Sequence, residues 1–263
     1  MRCGAVVVAR NEEKKIADCL KSLRSQTVEL FLVVVDDGSR DATGTIASEH
    51  VDAVVSLRGH GESWVGLPQL ATVFNVGFAV LKNKGVQYVL ISGADSVYPV
   101  NYVEEVINRM EKEGVVLASG IAEGEVSRSL SPRGSGRVLN AQWFRSEGFK
   151  YPENYGFEVY LVYKALSEGR KVAVFPDLRF KLSRGTGVSA DKSYLWGKGM
   201  RVLYYWWLYA FGRCVLAGIR NPSNGIAMLR GYASSVSNRY DDLKSFVPRF
   251  QKVMFVKRMR EIL

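Results

Sequence analysis

The chain has 263 residues, of which 47% are hydrophobic and 24% charged, and its net charge is +10. This composition supplies enough apolar surface for a substantial core, in one large domain or one domain with an appendage. The three cysteines lie far apart in the sequence, which fits a reducing compartment and excludes a Cys-based metal site. The first residues lack the length and the cleavage site of a signal peptide, so we expect none.

The positive charge is concentrated near the C-terminus. Residues 198–263 contain twelve Lys and Arg residues and three acids, a net charge of +9, so residues 1–197 are almost neutral. Such an excess favours an anionic partner, namely a nucleotide, a nucleic acid or a membrane surface. We therefore predict two regions, a domain over residues 1–197 and a basic region over residues 198–263.

Short apolar runs alternate with amphipathic segments through the first hundred residues. The runs 5–9, 30–35, 52–57 and 86–92 predict buried strands, and helical spacing of apolar residues predicts helices over 16–23 and 69–84. The run at 30–35 does not alternate with polar residues, which is typical of a strand buried on both faces of a parallel sheet. A strand, a helix and a second strand form a right-handed parallel unit. The fold class predicted is α/β, with a mostly parallel sheet flanked by helices.

Polar residues follow three of the predicted strands. The pairs are, in chain order, Asn11/Glu12, Asp36/Asp37 and Asp95/Ser96. Because parallel strands end at the same edge of a sheet, we expect these side chains to converge where open α/β sheets bind ligands. Hard cations take oxygen ligands and reach a protein through one or two carboxylates plus phosphates. The pattern therefore predicts a site for a metal and a nucleotide.

Ordered motifs over roughly residues 4–180 resemble the family 2 glycosyltransferases of the GT-A fold. The motifs are Ala9-Arg10-Asn11-Glu12-Glu13, Leu20-Lys21-Ser22-Leu23-Arg24-Ser25-Gln26-Thr27, Val35-Asp36-Asp37-Gly38-Ser39-Arg40-Asp41-Ala42-Thr43 and Asn75-Val76-Gly77-Phe78-Ala79. Several motifs in order are more specific than an isolated pair of aspartates. The resemblance implies a GT-A (Rossmann-like) domain that transfers a hexose from a nucleotide sugar.

The resemblance also implies roles for individual residues. The nucleotide would be bound by Ala9, Asn11, Glu12, Asp36, Asp37, Asn75, Gly93 and Ala94. Asp95 aligns with the second acid of the family's Asp-x-Asp metal motif, and Gly93 replaces the first acid. One carboxylate and the diphosphate oxygens would still bind Mg²⁺ or Mn²⁺, with Ser96, Asp36 or His60 as further candidates.

Two residues farther along the chain are candidates for the chemistry. Glu158 falls where the family's Glu-Asp motif has its catalytic Asp, so the resemblance makes it the general base. It would equally serve as an acid in the first turn of a helix, where the helix dipole favours it. Arg184 lies in a segment similar to the Arg-x-x-Gly-x-Ser loop of polyprenyl-phosphate mannose and glucose synthases, which implies that it clamps the departing diphosphate. A solvated glycine-rich loop is the alternative for that segment.

The basic region begins with the densest aromatic stretch of the chain, residues 202–212. Trp and Tyr prefer the membrane–water interface, and basic residues can reach anionic headgroups from it, so we predict a helical extension at a membrane surface. We expect Tyr205, Trp206, Trp207 and Phe211 to insert. The rival interpretation is ordinary packing on the catalytic domain or on a second chain. The continuous aromatic run does not resemble a nucleic-acid groove, so no nucleic acid is expected.

These observations leave several functions open. The leading hypothesis is an inverting transferase that moves mannose from GDP-mannose to a polyprenyl- or dolichyl-linked acceptor at the cytoplasmic membrane face, with UDP-glucose as the next donor. The alternatives are a polyprenyl-phosphate hexose synthase and a non-catalytic module that binds sugar nucleotides, the latter suggested by Gly93. A nucleotidyltransferase would require a glycine-rich phosphate loop, and residues 9–12 do not form one.

Overall fold

The structure is a computed structural model. It describes residues 2–61, 63–125, 132–183 and 187–262, with the side chains of 258–262 left out of the description. The chain forms two compact units. Unit 1 comprises Met1–Ser63, Thr72–Tyr151 and Gly169–Gly185, and unit 2 comprises Trp64–Ala71, Pro152–Glu168 and Thr186–Leu263. The boundary predicted after residue 197 falls inside a helix, Ala190–Val202, that belongs to unit 2.

An eight-stranded sheet organises unit 1. Its strands are β1 (Cys3–Ala9), β2 (Leu30–Asp36), β3 (Ala53–Ser56), β4 (Tyr88–Gly93), β5 (Ser96–Val97), β6 (Val115–Ala122), β7 (Arg137–Asn140) and β8 (Lys171–Leu182). Their order is β3-β2-β1-β4-β7-β6-β8-β5. The first four strands are parallel, while β7 runs antiparallel to both β4 and β6. The predicted α/β fold with a mostly parallel sheet is confirmed, as are the four predicted strands.

The apolar sequence of β2 explains its central position. Val33 and Val34 point to opposite faces of the sheet, and both are fully buried. Each face is therefore covered, as the unbroken run of apolar residues predicts for a parallel strand.

The helices described within the first 150 residues are α1 (Ile16–Arg24), α2 (Thr43–Ser48), α3 (Gln69–Leu81), α4 (Tyr102–Glu113) and α5 (Ala141–Ser146). The predicted helix over 69–84 is confirmed as α3, which ends three residues earlier. In unit 1, the backbone of α3 approaches the sheet closely at Gly77, because an added Cβ there would overlap the side chain of Val6. Phe78 of the same helix is fully buried.

Unit 2 is helical. Its helices are α6 (Phe157–Ser167), α7 (Ala190–Val202), α8 (Trp207–Arg220), α9 (Pro222–Ala233) and α10 (Phe246–Ile262), with a 3₁₀ turn at Asp241–Leu243. Glycines let α9 approach its neighbours at backbone distance, since added Cβ atoms at Gly197, Gly225 and Gly231 would overlap main-chain atoms of the facing helix. No helix among the described residues has both the length and the hydropathy needed to cross a bilayer.

Candidate nucleotide-binding and catalytic sites

The carboxyl ends of the parallel strands lie side by side in unit 1. Ala9 pairs with Asp36 in the β1–β2 ladder, Val8 pairs with Gly93 in the β1–β4 ladder, and the Asp37 amide donates to the Ala9 carbonyl over 2.8 Å. The polar residues that follow β1, β2 and β4 therefore share one edge of the sheet, as the sequence pattern predicts. This edge is where open α/β sheets bind ligands.

Hydrogen bonds join the loop after β1 to the loop after β2. Asn11 has a left-handed backbone with φ of 53°, and its side-chain oxygen accepts from the Arg40 amide over 2.8 Å. The Asn11 amide donates to the Ser39 hydroxyl over 2.9 Å, and the Glu12 amide donates to the Thr43 hydroxyl over 2.7 Å. Asn11 and Glu12 are therefore held in fixed positions beside the strand ends.

Asp37 is the centre of a charged cluster. It is 3% exposed, and its Oδ1 lies 2.9 Å from Nε2 of His60. The Arg10 guanidinium lies 3.8 Å from Asp37 Oδ2 and also contacts the His60 ring and carbonyl. The loop carrying His60 comes this close because Gly38, with φ of 68°, leaves no Cβ against the Gly59 backbone. Sequence reasoning did not select Arg10, although it lies inside a quoted motif.

Asp36 and Asn75 have partners inside the fold. Asp36 Oδ1 accepts from the Ser39 amide over 3.0 Å, at the turn that leads into α2. The Asn75 side chain donates to the Tyr151 carbonyl over 2.9 Å and accepts from the Tyr151 amide over 2.7 Å. Both groups of this amide therefore fix the backbone at Tyr151, and nucleotide binding by Asn75 stays a prediction.

The end of β4 shows how the chain uses a glycine at position 93. An added Cβ on Gly93 would lie 3.0 Å from Asp95 Oδ1, so the Asp95 carboxylate occupies space beside the missing side chain. Ala94 between them is buried. The Asp95 carbonyl accepts from the Ser183 amide over 2.8 Å, which fixes the end of β8 next to Asp95.

A buried hydroxyl network lies beneath this turn. The Gly93 amide donates to Ser135 Oγ over 3.0 Å, and that hydroxyl also lies 2.6 Å from Ser96 Oγ and 3.1 Å from the Tyr98 hydroxyl. Burial raises the pKa of Tyr98 to about 12, and the pKa of the neighbouring Cys19 thiol to about 12. Both groups are therefore neutral near pH 7. Ser135 is far from the motifs in sequence, so no sequence signal pointed to it.

Asp95 is the carboxylate at this edge that the resemblance assigns to a divalent cation. No group of three His, Cys, Asp or Glu side chains in the described part of the chain is arranged to hold a metal ion. A single carboxylate is nonetheless enough for Mg²⁺ or Mn²⁺ when substrate phosphates supply further oxygens. Asp95 would hold such an ion, and the ion would neutralise charge on a bound diphosphate.

Glu158 lies in unit 2, in the first turn of α6, as one of its two sequence interpretations predicts. Gly156 precedes the helix with φ of 70°, and an added Cβ there would lie 2.9 Å from Leu203 Cδ1. Glu158 lines a cavity of 250 Å³. The cavity wall is largely apolar, with Arg213 as a second charged group; its apolar members include Phe157, Leu195, Trp196, Met200, Leu203 and Met228.

Arg184, the predicted diphosphate clamp, lies outside the described residues.

Comparison with known proteins identifies the fold and the family. The described sheet and helices match the crystal structure of S. aureus TarS 1-349 in complex with UDP, with a TM-score of 0.57 and 18% identity over 77% of this chain and 65% of that chain. They also match mannosyltransferase PcManGT from Pyrobaculum calidifontis in complex with GDP-Man and Mn²⁺, with a TM-score of 0.59 and 15% identity over 89% of this chain and 76% of that chain. The fold is therefore that of the GT-A enzymes.

The family follows from the sequence. Residues 5–164 match Glycosyl transferase family 2, which is more than half of the chain, so the chain belongs to that family. Among curated proteins, 4,4'-diaponeurosporenoate glycosyltransferase of Staphylococcus haemolyticus (strain JCSC1435) is 40% identical over 65 residues, which are 24% of this chain. The match spans 17% of that relative's length, and this chain covers just under two thirds of the TarS structure.

Proposed function

We propose that the protein is an inverting glycosyltransferase that transfers a hexose from a nucleotide sugar to a lipid-linked acceptor. The observation that carries the proposal is the shared edge of β1, β2 and β4, with the buried Asp37 carboxylate at its centre. Family membership and two structural relatives that were solved with UDP and with GDP-Man support a sugar nucleotide as the donor.

The donor would bind through its base and its diphosphate. The base edge would replace His60 as the hydrogen-bond partner of Asp37, while Asn11 and Glu12 would contact the ribose. The diphosphate would lie at the end of β4, where Asp95 would hold Mg²⁺ or Mn²⁺. GDP-mannose is the proposed donor and UDP-glucose the next, because the segment around Arg184 is similar to the loop of mannose-phosphate synthases.

Glu158 would act as the general base on the acceptor. Its carboxylate takes the proton of the acceptor hydroxyl while that oxygen forms a bond to the anomeric carbon. The bond from the anomeric carbon to the diphosphate oxygen breaks, the configuration inverts, and the nucleoside diphosphate leaves with its electron pair. The apolar wall around Glu158 suits an acceptor with a lipid portion.

A polyprenyl- or dolichyl-linked molecule is the proposed acceptor, and the cytoplasmic face of the cell membrane is the proposed location. If the acceptor is polyprenyl phosphate itself, the product is polyprenyl-phosphate hexose.

A second candidate function is a module that binds sugar nucleotides without turnover. Gly93 favours it, because a glycine at this position removes one acid from the family's metal motif.

Sugar transfer by the wild type separates these two candidates, and a variant of Glu158 tests the proposed base. Glu158→Gln is expected to lower the transfer rate at least about a hundredfold and to leave the donor Kd within about twofold, since the base acts on the acceptor. Glu153→Gln is the matched control: Glu153 is an exposed acid that precedes α6 by four residues, and the variant should retain the wild-type rate. Transfer measured with radiolabelled GDP-mannose and membrane extract tests the rate, and calorimetry tests the donor Kd. Wild-type turnover by Glu158→Gln would contradict the proposed base, and donor binding without transfer by the wild type would support the non-catalytic module.

A further inference from the structure

One face of α8 is apolar and exposed. Phe211 is 51% exposed, Val215 is 46% exposed and Ile219 is 76% exposed, at the spacing of four residues that places side chains along one side of a helix. Leu208 and Leu216 are also exposed. We call these five residues the α8 apolar face.

The opposite side of α8 is fixed within unit 2. Ala210 and Cys214 are buried, and Gly218 faces Gly225 of α9 at backbone distance. At 100° per residue, positions 208, 211, 215, 216 and 219 lie within roughly 140° of the helix circumference, while Arg213 and Arg220 lie about 20° apart beside that arc. The helix therefore has a buried side, an exposed apolar side and a basic border.

The neighbouring helices also carry exposed apolar side chains. Ile226 and Leu229 of α9 are exposed, as are Val253, Phe255 and Val256 of α10. Most of the large apolar side chains that are exposed in the described part of the chain lie on these three helices. Large apolar surface that is concentrated on a few helices marks a site of interaction with a protein or a membrane.

The positive charge of α8–α10 favours a membrane over a second copy of the chain as the partner of the apolar face. Five exposed basic side chains lie on α8–α10 outside the Glu158 cavity, namely Arg220, Arg230, Arg249, Lys252 and Lys257. Within the described residues, none of them forms an ion pair with a carboxylate. The acids Asp241 and Asp242 accept hydrogen bonds from Tyr204 and Tyr160. A second copy of the chain would bring two positive surfaces together, whereas a bilayer with anionic lipid offers both apolar volume and negative charge.

We infer that the α8 apolar face inserts into the interfacial layer of a membrane that contains anionic phospholipid. This inference deepens the proposed function, because it identifies the surface by which the enzyme reaches a lipid-linked acceptor. Phe211, Val215 and Ile219 bury their side chains among the acyl chains, and Arg220 and Arg230 contact lipid phosphates. Of the four aromatics selected from the sequence, Trp207 and Phe211 are exposed, whereas Tyr205 packs on Tyr163 inside unit 2 and Trp206 contacts Phe255.

Vesicle binding of the full chain, without donor or acceptor, tests the inference. With vesicles of phosphatidylcholine and phosphatidylglycerol, the double variant Phe211→Ser/Ile219→Ser is expected to lower the partition coefficient at least about tenfold. Val100→Ser, which changes an exposed valine of unit 1, is the control and should bind as the wild type does. Arg220→Gln/Arg230→Gln should weaken binding to these vesicles about tenfold and leave binding to pure phosphatidylcholine vesicles unchanged.

Further measurements keep the outcome interpretable. Circular dichroism and nucleotide affinity of each variant check that the fold and the donor site are retained. If the double variant does not fold, Leu216→Ser replaces it, because Leu216 is 65% exposed on the same face. Unchanged vesicle binding by the α8 variants would overturn the inference. So would a wild-type dimer that these variants convert to a monomer, since a second copy would then be the occupant. A wild-type protein that binds these vesicles but binds neither GDP nor UDP would contradict the proposed function and leave the membrane inference standing.

Discussion

Replacing Asn75 with alanine tests whether this side chain supports the fold or binds the nucleotide. Asn75 makes two hydrogen bonds to the backbone of Tyr151, a residue that is fully buried. The substitution would leave the Tyr151 amide and carbonyl without these partners, and an unsatisfied buried polar group costs about 1–3 kcal/mol. We therefore expect Asn75→Ala to lower the free energy of unfolding by about 2–4 kcal/mol.

Urea denaturation followed by circular dichroism measures this loss. Asn140→Ala is the control, because the Asn140 side chain caps α5 by accepting from the Trp143 amide, and the loss of a helix cap should cost about 1 kcal/mol. The affinity of the folded Asn75→Ala variant for GDP and UDP should equal that of the wild type. A loss of stability below about 0.5 kcal/mol together with a tenfold weaker nucleotide affinity would refute the structural role.

Three further predictions follow from the site and the core. Gly93→Asp would supply a second carboxylate beside Asp95, so calorimetry should show tighter Mn²⁺ binding in the presence of the nucleotide; unchanged affinity would contradict the metal position proposed here. Burial raises the pKa of the Cys3 and Cys19 thiols to about 12, so iodoacetamide at pH 8 should modify them in urea and leave them intact in the native protein, as mass spectrometry would show. Gly225→Val would overlap the α8 backbone and should lower the denaturation midpoint by the equivalent of about 1–3 kcal/mol; a wild-type midpoint would contradict the close packing of α8 on α9.

The sequence predicts the strands of unit 1 well because local and tertiary signals agree there. The run that forms β2 is β-branched and apolar, and it ends at two acids and a glycine, so the same residues predict the strand, its burial and the ligand edge. The convergence of Asn11, Asp37 and Asp95 at one edge follows from parallel pairing alone.

Other features depend on contacts that no local pattern records. The cluster of Arg10, His60 and Asp37 requires the loop after β3 to fold back over Gly38, and Ser135 reaches Gly93 across a long sequence separation. In the aromatic stretch, composition predicts an exposed helix face but does not distinguish Tyr205, which packs on Tyr163, from Phe211, which is exposed. That assignment requires the position of α9, which is set by glycine contacts between helices.

The most direct test of the account is the transfer of labelled sugar. The purified protein is incubated with membrane extract and with GDP-mannose or UDP-glucose that is radiolabelled in the sugar, and the label in the organic phase is counted. The account predicts label in the lipid fraction from one donor with the wild type, label that is lost with Glu158→Gln, and label that is lost with Asp37→Ala because the donor no longer binds. Equal incorporation of label by the wild type and by both variants would contradict it.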